Sequence, residues 1–512
     1  MQKAPSNAKQ ISQTTFNMVT QMFGSCLLSY PFVCYKVGWV MAVILFVHSF
    51  VSMLVCMHYY IEACYYTRAI SYKDLGVILL GKKFGVLLDV ALVVSYYGFM
   101  TAYVIISSNG INNFALNYFK QTWNPYITKS VIAFGIMFPL SLLKSLKQIS
   151  KISTVAGLII FVFIFTVIVY FFIGVSNNGV LCTYDDGGIS KSITSSYHAF
   201  PDKTSIMQFL WFVMYIPSTH SNFSAHPIVP RLLKELVGSY PQRKRLVKKS
   251  LYVSIFIGII GFGSVGFMGA AMFGGDIKQS ILKAFEPCKF VWINILSLFY
   301  AFVVIINFPL VLYPLKTSLV QTFGSQIETK KGYKMSILID LIFTVLCLLL
   351  ALFLETIVSI FGLFGSIAGF FYYFLMPIYC YIVNKKLHAQ NIGLDDESVV
   401  PFEDELPIIQ VQQNNAAQTF RPDGAAIEVA VEVTSDLGDN SRNDIVRVNN
   451  EAEKQNQKQT SVLPKVLDNP YKETPKDSKI IGITIICIYA AICIVGVVMN
   501  LQDVIDGFKT NK

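Results

Sequence analysis

The chain alternates long apolar runs with short polar segments. Each run is long enough to cross the core of a bilayer as a helix of about 20 residues. The runs lie at residues 14–35, 38–62, 85–109, 126–146, 153–175, 206–229, 250–273, 290–319, 335–354, 356–384 and 479–500. The pattern predicts an all-α polytopic membrane protein with 11 transmembrane helices.

Two of these runs contain their own interruption. The first holds Gly24, Ser25 and Pro31, and the sixth is interrupted between Pro217 and Ser224. A broken helix in a bilayer leaves backbone N–H and C=O groups unpaired, which is tolerated only where they face protein, water or a bound solute. Breaks in corresponding positions of two halves indicate the substrate site of a transporter.

One long segment, residues 385–478, has a different character. It is polar and rich in Gln, Asn, Asp and Glu, and it cannot bury enough apolar surface to offset the entropy of ordering. We predict a mostly disordered cytosolic loop, with a regulatory role or an inert tether as the alternatives. The chain then divides into an N-terminal tail 1–13, a transporter core 14–384, this loop, a last helix 479–500 and a C-terminal tail 501–512.

Composition excludes a soluble protein. Of 512 residues, 54% are hydrophobic and 14% are charged, which is too little charge for a water-exposed surface. The formal net charge of +10 does not indicate nucleic acid, because the basic residues cluster in short loops between apolar runs. Residues 68–83, 144–151, 231–249 and 330–334 hold 17 of them, and the alternate loops hold only scattered lysines. The positive-inside rule therefore places the N-terminus in the cytosol and the C-terminus on the other side.

Most cysteines lie in or at the ends of the apolar runs, and two do not. Cys182 and Cys288 fall in loops that the predicted topology places on the non-cytosolic side, where disulfides persist. We predict a bridge between them. No Cys/His cluster has metal-ligand spacing, and no catalytic triad or phosphate loop is present. We expect no metal, no cofactor and no enzyme activity.

Four motifs in chain order carry a resemblance to a known family. The first is Gly24 to Pro31 followed by Gly38 and Trp39, the second is Pro217, His226, Pro230, Glu235 and Leu236, the third is Phe308 to Lys316, and the fourth is Ile360 to Gly369 followed by Pro377. Together they resemble the amino acid/auxin permease (AAAP) family of the APC superfamily. The resemblance covers all eleven runs and omits the N-terminal tail and the polar loop.

The resemblance implies a LeuT-like fold. In that fold spans 1–5 and 6–10 form a 5+5 inverted repeat, and span 11 is one extra helix. Members are secondary transporters of amino acids, some coupled to sodium and some to protons. The expected partners are therefore an amino acid, a coupling ion and membrane lipid, with no nucleic acid.

The two ends of an amino acid predict where it binds. A helix that starts at mid-membrane presents N–H groups that favour an anion, and a helix that ends there presents carbonyls that favour a cation. We expect the substrate carboxylate at the amides of Gly24, Ser25, Cys26 and Leu27. Gly24 has no Cβ and so permits close approach.

The second break is expected to face the first and to bind the ammonium. Its residues are Thr219, His220, Ser221, Asn222 and Phe223. Tyr103, in a stretch that resembles the family's span 3, is a candidate to cap the pocket, and ordinary packing is the alternative.

Four residues are candidates for ion coupling. His220 lies at the predicted break and titrates near neutral pH, while His226 matches the family histidine, as a structural hydrogen-bonding residue or a proton relay. Thr20 and Asn307 stand where sodium-coupled relatives have oxygen ligands, and Ile305 and Ile306 beside Asn307 offer no side-chain oxygen. This favours proton-coupled or uncoupled transport.

The sequence therefore predicts a multi-pass amino acid transporter that works by alternating access, in the plasma membrane or in a vacuolar or lysosomal membrane. The alternatives are a sodium-coupled transporter and an amino acid sensor that binds without significant transport.

Overall fold

The computed structural model consists of helices and one β-hairpin in the part of the chain that it describes. The described residues are 6–24, 26–69, 71–143, 146–186, 189–195, 205–223, 225–323, 327, 329–354, 357–390 and 476–510. Ser25, and residues 391–475 of the predicted polar loop, lie outside them.

The α-helices account for almost all of the described chain. They are α1 Asn7–Phe23, α2 Cys26–Val37, α3 Trp39–Thr67, α4 Tyr72–Leu80, α5 Lys82–Phe119, α6 Pro125–Val131, α7 Phe138–Ser141, α8 Leu146–Ser176, α9 Ser205–Asn222, α10 Val229–Glu235, α11 Tyr240–Gly263, α12 Gly269–Phe273, α13 Ile281–Ala284, α14 Val291–Thr322, α15 Lys330–Phe353, α16 Ile357–Gly369, α17 Met376–Gln390 and α18 Lys476–Thr510. The hairpin pairs β1 Val180–Asp186 with β2 Ile189–Thr194.

Short segments of other helix types join several of these elements. Three π-helical segments connect α6 to α7, α11 to α12 and α16 to α17, at Ile132–Met137, Ser264–Met268 and Phe370–Leu375. A π-turn inserts one extra residue into the helix and changes which side chains face a given neighbour. A 3-10 segment, His226–Ile228, lies between α9 and α10.

The protein is a multi-pass membrane protein. Each predicted apolar run is helical over most of its length, and eight helical stretches among the described residues are long and apolar enough to cross a membrane. They are Trp39–Thr67, Lys82–Phe119, Thr154–Ser176, Tyr240–Asp276, Val291–Val320, Lys330–Phe353, Gly362–His388 and Lys479–Gln502. The first, fourth and sixth runs are not in this set. The first is divided into α1 and α2, which are 17 and 12 residues long.

The long helix α5 lies at the centre of the bundle, where it packs against α4, α14, α15 and α16. Two glycines permit its closest approaches. A Cβ at Gly98 would lie 2.8 Å from the Phe364 Cβ on α16, and a Cβ at Gly110 would lie 2.8 Å from the Ser297 carbonyl oxygen on α14. Helix backbones approach this closely where small residues line the contact.

The predicted disulfide is present in the structure. Cys182 on β1 is bonded to Cys288, which lies just before α14, and their Cα atoms are 5.6 Å apart. A hydrogen bond also holds the loop that contains Cys288: Asn113 of α5 donates to the Glu286 carboxylate. The hairpin between α8 and α9 is thus tied to the loop that precedes α14.

A buried ion pair joins α14, α15 and the end of α7. The Lys316 ammonium lies 2.9 Å from Asp340 Oδ2 and also donates to the Ser141 carbonyl oxygen. The two side chains are only 3% and 0% exposed. A buried charge that loses its partner is strongly destabilising, although a pair of apolar residues often replaces both charges without loss.

We expect Lys316→Met to destabilise the protein by about 3–5 kcal/mol, because Asp340 would remain as an unpaired buried carboxylate. The double variant Lys316→Met/Asp340→Leu should recover most of this loss. Thermal unfolding of the purified protein in detergent measures both. As a control, Glu235→Gln removes the partly exposed Arg231–Glu235 pair and should cost no more than about 1 kcal/mol. A double variant as unstable as Lys316→Met would contradict this account.

Candidate substrate site

The first helix break lies where the sequence predicts it. Helix α1 ends at Phe23, Gly24 forms the turn, and α2 begins at Cys26. The Gly24 N–H donates to the Thr20 carbonyl oxygen at 3.3 Å and so closes the last turn of α1. This amide is therefore already paired within α1. The amides that have no carbonyl partner within α2 belong to its first turn, which begins at Cys26.

The carbonyl end of α1 is held by two side chains of α14. The Tyr300 hydroxyl donates to the Gly24 carbonyl oxygen at 2.6 Å and lies 3.4 Å from the Phe23 carbonyl oxygen. Asn307 Nδ2 donates to the Thr20 carbonyl oxygen at 3.4 Å. Tyr300 thereby satisfies carbonyls at the break, and Asn307 adds a second donor to the Thr20 carbonyl that Gly24 already uses.

The second break lies later than predicted. Helix α9 continues through Pro217 to Asn222, and the chain leaves the helix at Phe223 before the 3-10 segment at His226. Thr219 to Asn222 therefore form the last turn of α9 and not the break itself. A proline removes one backbone donor and kinks a helix, but here the helix resumes after it. The last turn of α9 still ends in carbonyls that lack N–H donors within the helix.

A cavity lies between the two breaks. Residues of α1, α2, α5, α9, α14, the 3-10 segment and the third π segment line it: Gln21, Gly24, Cys26, Tyr96, Phe99, Tyr103, Ser221, Pro227, Val311 and Tyr373. Four predicted site residues, Gly24, Cys26, Tyr103 and Ser221, are thus brought together from three parts of the sequence.

The other predicted site residues lie elsewhere or outside the described chain. Leu27, Thr219, His220, Asn222 and Phe223 are buried but are not among the residues that line the cavity. The Phe223 ring, for example, packs against the Phe262 ring at a centroid distance of 5.2 Å. On a helix, successive residues face different directions, so one turn cannot direct every side chain into the same space.

Tyr103 lies directly over Gly24. A Cβ at residue 24 would be 3.0 Å from the Tyr103 hydroxyl oxygen and 3.7 Å from Asn307 Nδ2. The glycine thus makes room for the tyrosine ring, which is itself buried. Of the two readings of Tyr103, the geometry favours a residue of the cavity wall.

Several residues of this cavity were not predicted from the sequence. Tyr96 and Phe99 precede Tyr103 by seven and four residues on α5, which is the spacing of one helix face. That signal was available in the sequence. Tyr373 of the cavity carried no such signal, and neither did Tyr300, which contacts the Gly24 carbonyl outside the lining. Each belongs to an aromatic or apolar stretch, and the direction of its side chain depends on distant helices.

The two histidine candidates occupy different surroundings. The His226 ring is fully buried, 5.3 Å from the Tyr60 ring and 5.8 Å from the Tyr373 ring. The His220 side chain points away from the cavity lining, and its Nδ1 lies 2.9 Å from Ser52 Oγ on α3. Thr20, which is also buried, donates its hydroxyl to the Phe16 carbonyl oxygen at 2.7 Å.

A multi-pass helical protein with a cavity between two broken helices is of the transporter class. A family model described as "Transmembrane amino acid transporter protein" matches residues 8–393. The chain belongs to this family of transmembrane amino acid transporters.

Characterised relatives are transporters and not enzymes. The chain is 22% identical over 408 residues to the sodium-coupled neutral amino acid symporter 2 of Danio rerio, covering 74% of this chain and 77% of the relative. It is 24% identical over 280 residues to vacuolar amino acid transporter 4 of Saccharomyces cerevisiae, covering 52% of this chain and 35% of the relative. It is 27% identical over 255 residues to vacuolar amino acid transporter 3 of the same yeast, covering 48% and 32%.

Solved structures of transporters are also similar. A Na⁺-coupled sialic acid symporter matches with a TM-score of 0.48 at 14% identity, over 73% of this chain and 78% of that one. A manganese transporter of Eremococcus coleocola matches with a TM-score of 0.46 at 13% identity, over 97% and 95%.

We expect Gly24→Ala to weaken substrate binding by about tenfold, because overpacking costs about 1–3 kcal/mol and about 1.4 kcal/mol is tenfold. The new Cβ would press on the Tyr103 hydroxyl. Adding Tyr103→Phe removes that oxygen and should restore part of the binding lost by Gly24→Ala. Binding of radiolabelled amino acid to purified protein measures both.

A matched control is Gly365→Ala. Gly365 is also buried, but its nearest atom to an added Cβ would be the Ser218 Cα at an ordinary 3.9 Å. This variant should bind as wild type does. An equal loss in Gly365→Ala, or no loss in Gly24→Ala, would contradict the proposed contact between residues 24 and 103.

Proposed function

We propose that the protein is a secondary active transporter that moves amino acids by alternating access, with proton coupling or without coupling. The observation that carries the proposal is the cavity between two broken helices, lined by Gly24, Cys26, Tyr103 and Ser221. Membership in the transmembrane amino acid transporter family supports the class of substrate.

The carboxylate of the substrate is assigned to the start of α2. The first turn of that helix presents N–H groups and the positive end of its dipole, and Cys26 at its start lines the cavity. Tyr103 lies within the same wall and offers a hydroxyl. A helix N-terminus of this kind binds a carboxylate without a basic side chain.

The ammonium of the substrate is assigned to the end of α9. The last turn, residues 219–222, presents carbonyl oxygens and the negative end of a helix dipole. Ser221 of this turn lines the cavity. The two helix ends thus satisfy opposite charges of one zwitterion, and the aromatic wall formed by Tyr96, Phe99 and Tyr373 contacts the remainder of the molecule.

Proton coupling or uncoupled transport fits the contacts near Thr20 better than sodium coupling. Asn307 uses its amide nitrogen, not its oxygen, toward the Thr20 carbonyl, and the Thr20 hydroxyl donates to Phe16. Sodium, like other hard cations, needs several oxygen ligands, and Ile305 and Ile306 provide none from their side chains. Sodium coupling remains the second candidate because the Danio rerio relative is a sodium-coupled symporter.

We also propose eleven spans arranged as a LeuT-like 5+5 inverted repeat plus one helix, with a cytosolic N-terminus. The arrangement is supported by the breaks, which fall in the first and the sixth helical run, five runs apart. The domain limits given above, with residues 385–478 as a cytosolic loop, follow from the same topology. The membrane is proposed to be the plasma membrane or a vacuolar or lysosomal membrane.

The function is tested by uptake of a radiolabelled amino acid panel into proteoliposomes. Proton and sodium gradients are imposed separately, for wild type and for Gly24→Trp, which fills the space beside Tyr103. We expect uptake that does not depend on sodium and that is lost in Gly24→Trp. If transport is proton-coupled, the amino acid accumulates in proportion to the proton gradient; if it is uncoupled, the internal and external concentrations become equal. Gly365→Ala serves as the control for a substitution at a buried glycine.

Three outcomes contradict parts of the proposal. Uptake that requires sodium overturns the coupling assignment. Tight binding without uptake moves the protein to the sensor class. Undiminished uptake by Gly24→Trp removes the cavity from the transport path.

The proposed orientation makes a separate prediction. Cys182 and Cys288 should face the non-cytosolic side, so a membrane-impermeant reductant followed by an impermeant maleimide should label them only from that side of sealed vesicles. The double variant Cys182→Ser/Cys288→Ser provides the background. Labelling from the cytosolic side alone would contradict the proposed orientation and indicate the opposite one.

A further inference from the structure

A second group of polar side chains lies between α3, α9 and α18, apart from the cavity lining, with one member fully buried and three partly buried. It consists of His48 and Ser52 on α3, His220 on α9 and Tyr489 on α18, and is called the histidine cluster below. His48 Nε2 lies 2.5 Å from the Tyr489 hydroxyl, and His220 Nδ1 lies 2.9 Å from Ser52 Oγ. The centroids of the two imidazole rings are 6.5 Å apart.

One aromatic ring closes the histidine cluster from the side of the third π segment. The Phe374 ring stacks on Tyr489 at a centroid distance of 3.8 Å and lies 4.5 Å from the His220 ring. His220 is 0% exposed. A protonatable group enclosed in this way exchanges protons only through its own polar neighbours or through a change of conformation.

One tautomer of His220 satisfies both contacts of Ser52 Oγ. Ser52 has a single hydroxyl hydrogen, and this hydroxyl donates to the Ser49 carbonyl oxygen at 3.2 Å. The Nδ1–H of His220 then donates to Ser52 Oγ, which leaves a lone pair on Nε2. The opposite tautomer would bury an N–H donor without a partner, which is the costlier arrangement.

His220 Nε2 is therefore a buried base. It is fully enclosed and has no hydrogen-bond partner among the described residues. The titratable groups that face it are His48 from α3, Tyr489 from α18, Tyr373 from the π segment and His226 from the 3-10 segment. Two imidazolium ions this close repel each other, so His48 and His220 accept one proton as a pair.

The histidine cluster is adjacent to the substrate cavity through two residues. Ser221, next to His220 in the chain, lines the cavity. Tyr373 also lines it, and its ring lies 6.0 Å from the His220 ring. A charged substrate in the cavity would interact with a proton on this pair, and in a low-dielectric interior such an interaction is strong.

We propose that the histidine cluster is the proton-binding site through which a proton gradient drives transport, with Tyr489 making the last helix α18 part of it. The proposal rests on the proposed function and specifies its coupling ion. In each cycle a proton from water on one side adds to His220 Nε2, giving the imidazolium. The same proton leaves to water on the other side, and His220 returns to its neutral form.

The roles of Ser52 and Tyr489 are positional. Ser52 fixes the tautomer that presents Nε2, and Tyr489 fixes the His48 ring that shares the proton. Neither residue lines the substrate cavity. Their removal should change the pH dependence of transport and not the recognition of the amino acid.

The test uses two measurements on the same proteoliposomes across pH 5–8. The first is accumulation driven by a proton gradient, and the second is exchange of internal for external amino acid without any gradient. His220→Gln should reduce the accumulation ratio to about one, as expected for loss of the driving proton. Tyr489→Phe and Ser52→Ala should keep exchange, with the half-maximal pH of accumulation shifted by about half to one unit, the effect of one lost hydrogen bond.

His388→Gln is the matched control, because His388 is exposed at the end of α17. It should leave both measurements unchanged. The inference is overturned if a proton gradient drives accumulation by the wild type and by His220→Gln alike, and if the pH profiles of Tyr489→Phe and Ser52→Ala are not shifted. That result leaves the proposed function intact. Three results with the wild type overturn the inference: uptake driven by sodium, uptake that a proton gradient does not affect, and no uptake. The first and the third also contradict the proposed function. If His220→Gln fails to fold, the other two variants still decide.

Discussion

The fold depends on how backbone groups are satisfied where two helices are interrupted inside the bundle. Lipid offers no hydrogen bonds, so a broken helix survives only when protein supplies the missing partners. At the first break α14 provides one of them, through Tyr300 on the Gly24 carbonyl, and Asn307 adds a donor to the Thr20 carbonyl. Cys26, at the start of α2, lines the cavity. In the proposed function the protein thus fixes the carbonyl end of the break, and the amide end of α2 binds the substrate.

This division has a consequence for ion coupling. An oxygen-rich position between α1 and α14 would suit a hard cation, but Tyr300 and Asn307 place O–H and N–H donors there. Donors and a cation compete for the same carbonyls. The contacts that hold the first break together therefore favour a coupling ion that binds elsewhere, and a proton needs only one basic lone pair.

The sequence was sufficient to predict features that depend on local chemistry. The break at Gly24, the helical runs and the Cys182–Cys288 pairing all follow from residue type, spacing and side of the membrane. The position of the second break was predicted less well, because Pro217 is the most visible helix breaker in its run, yet α9 continues past it to Asn222. A proline shows where a hydrogen bond is missing, and packing decides where the helix ends.

Side-chain direction was the least predictable property. Four residues of one turn, Thr219 to Asn222, were assigned to one pocket, but only Ser221 lines it. His220 instead faces Ser52, and Tyr300 reaches a carbonyl 276 residues away in sequence. Long-range partners of this kind are set by which helices pack together, and a single sequence does not specify that packing.

The π segment Phe370–Leu375 connects the substrate cavity with the histidine cluster. Its extra residue per turn directs three successive aromatic residues to three different neighbours. Tyr372 stacks on Tyr72 at 4.1 Å, Tyr373 lines the cavity, and Phe374 packs on Tyr489 at 3.8 Å. A movement of this segment would change the cavity wall and the enclosure of His220 together. Under the proposed function, such a movement would couple the substrate site to the proton site, because coupling requires that both ligands bias the same structural element.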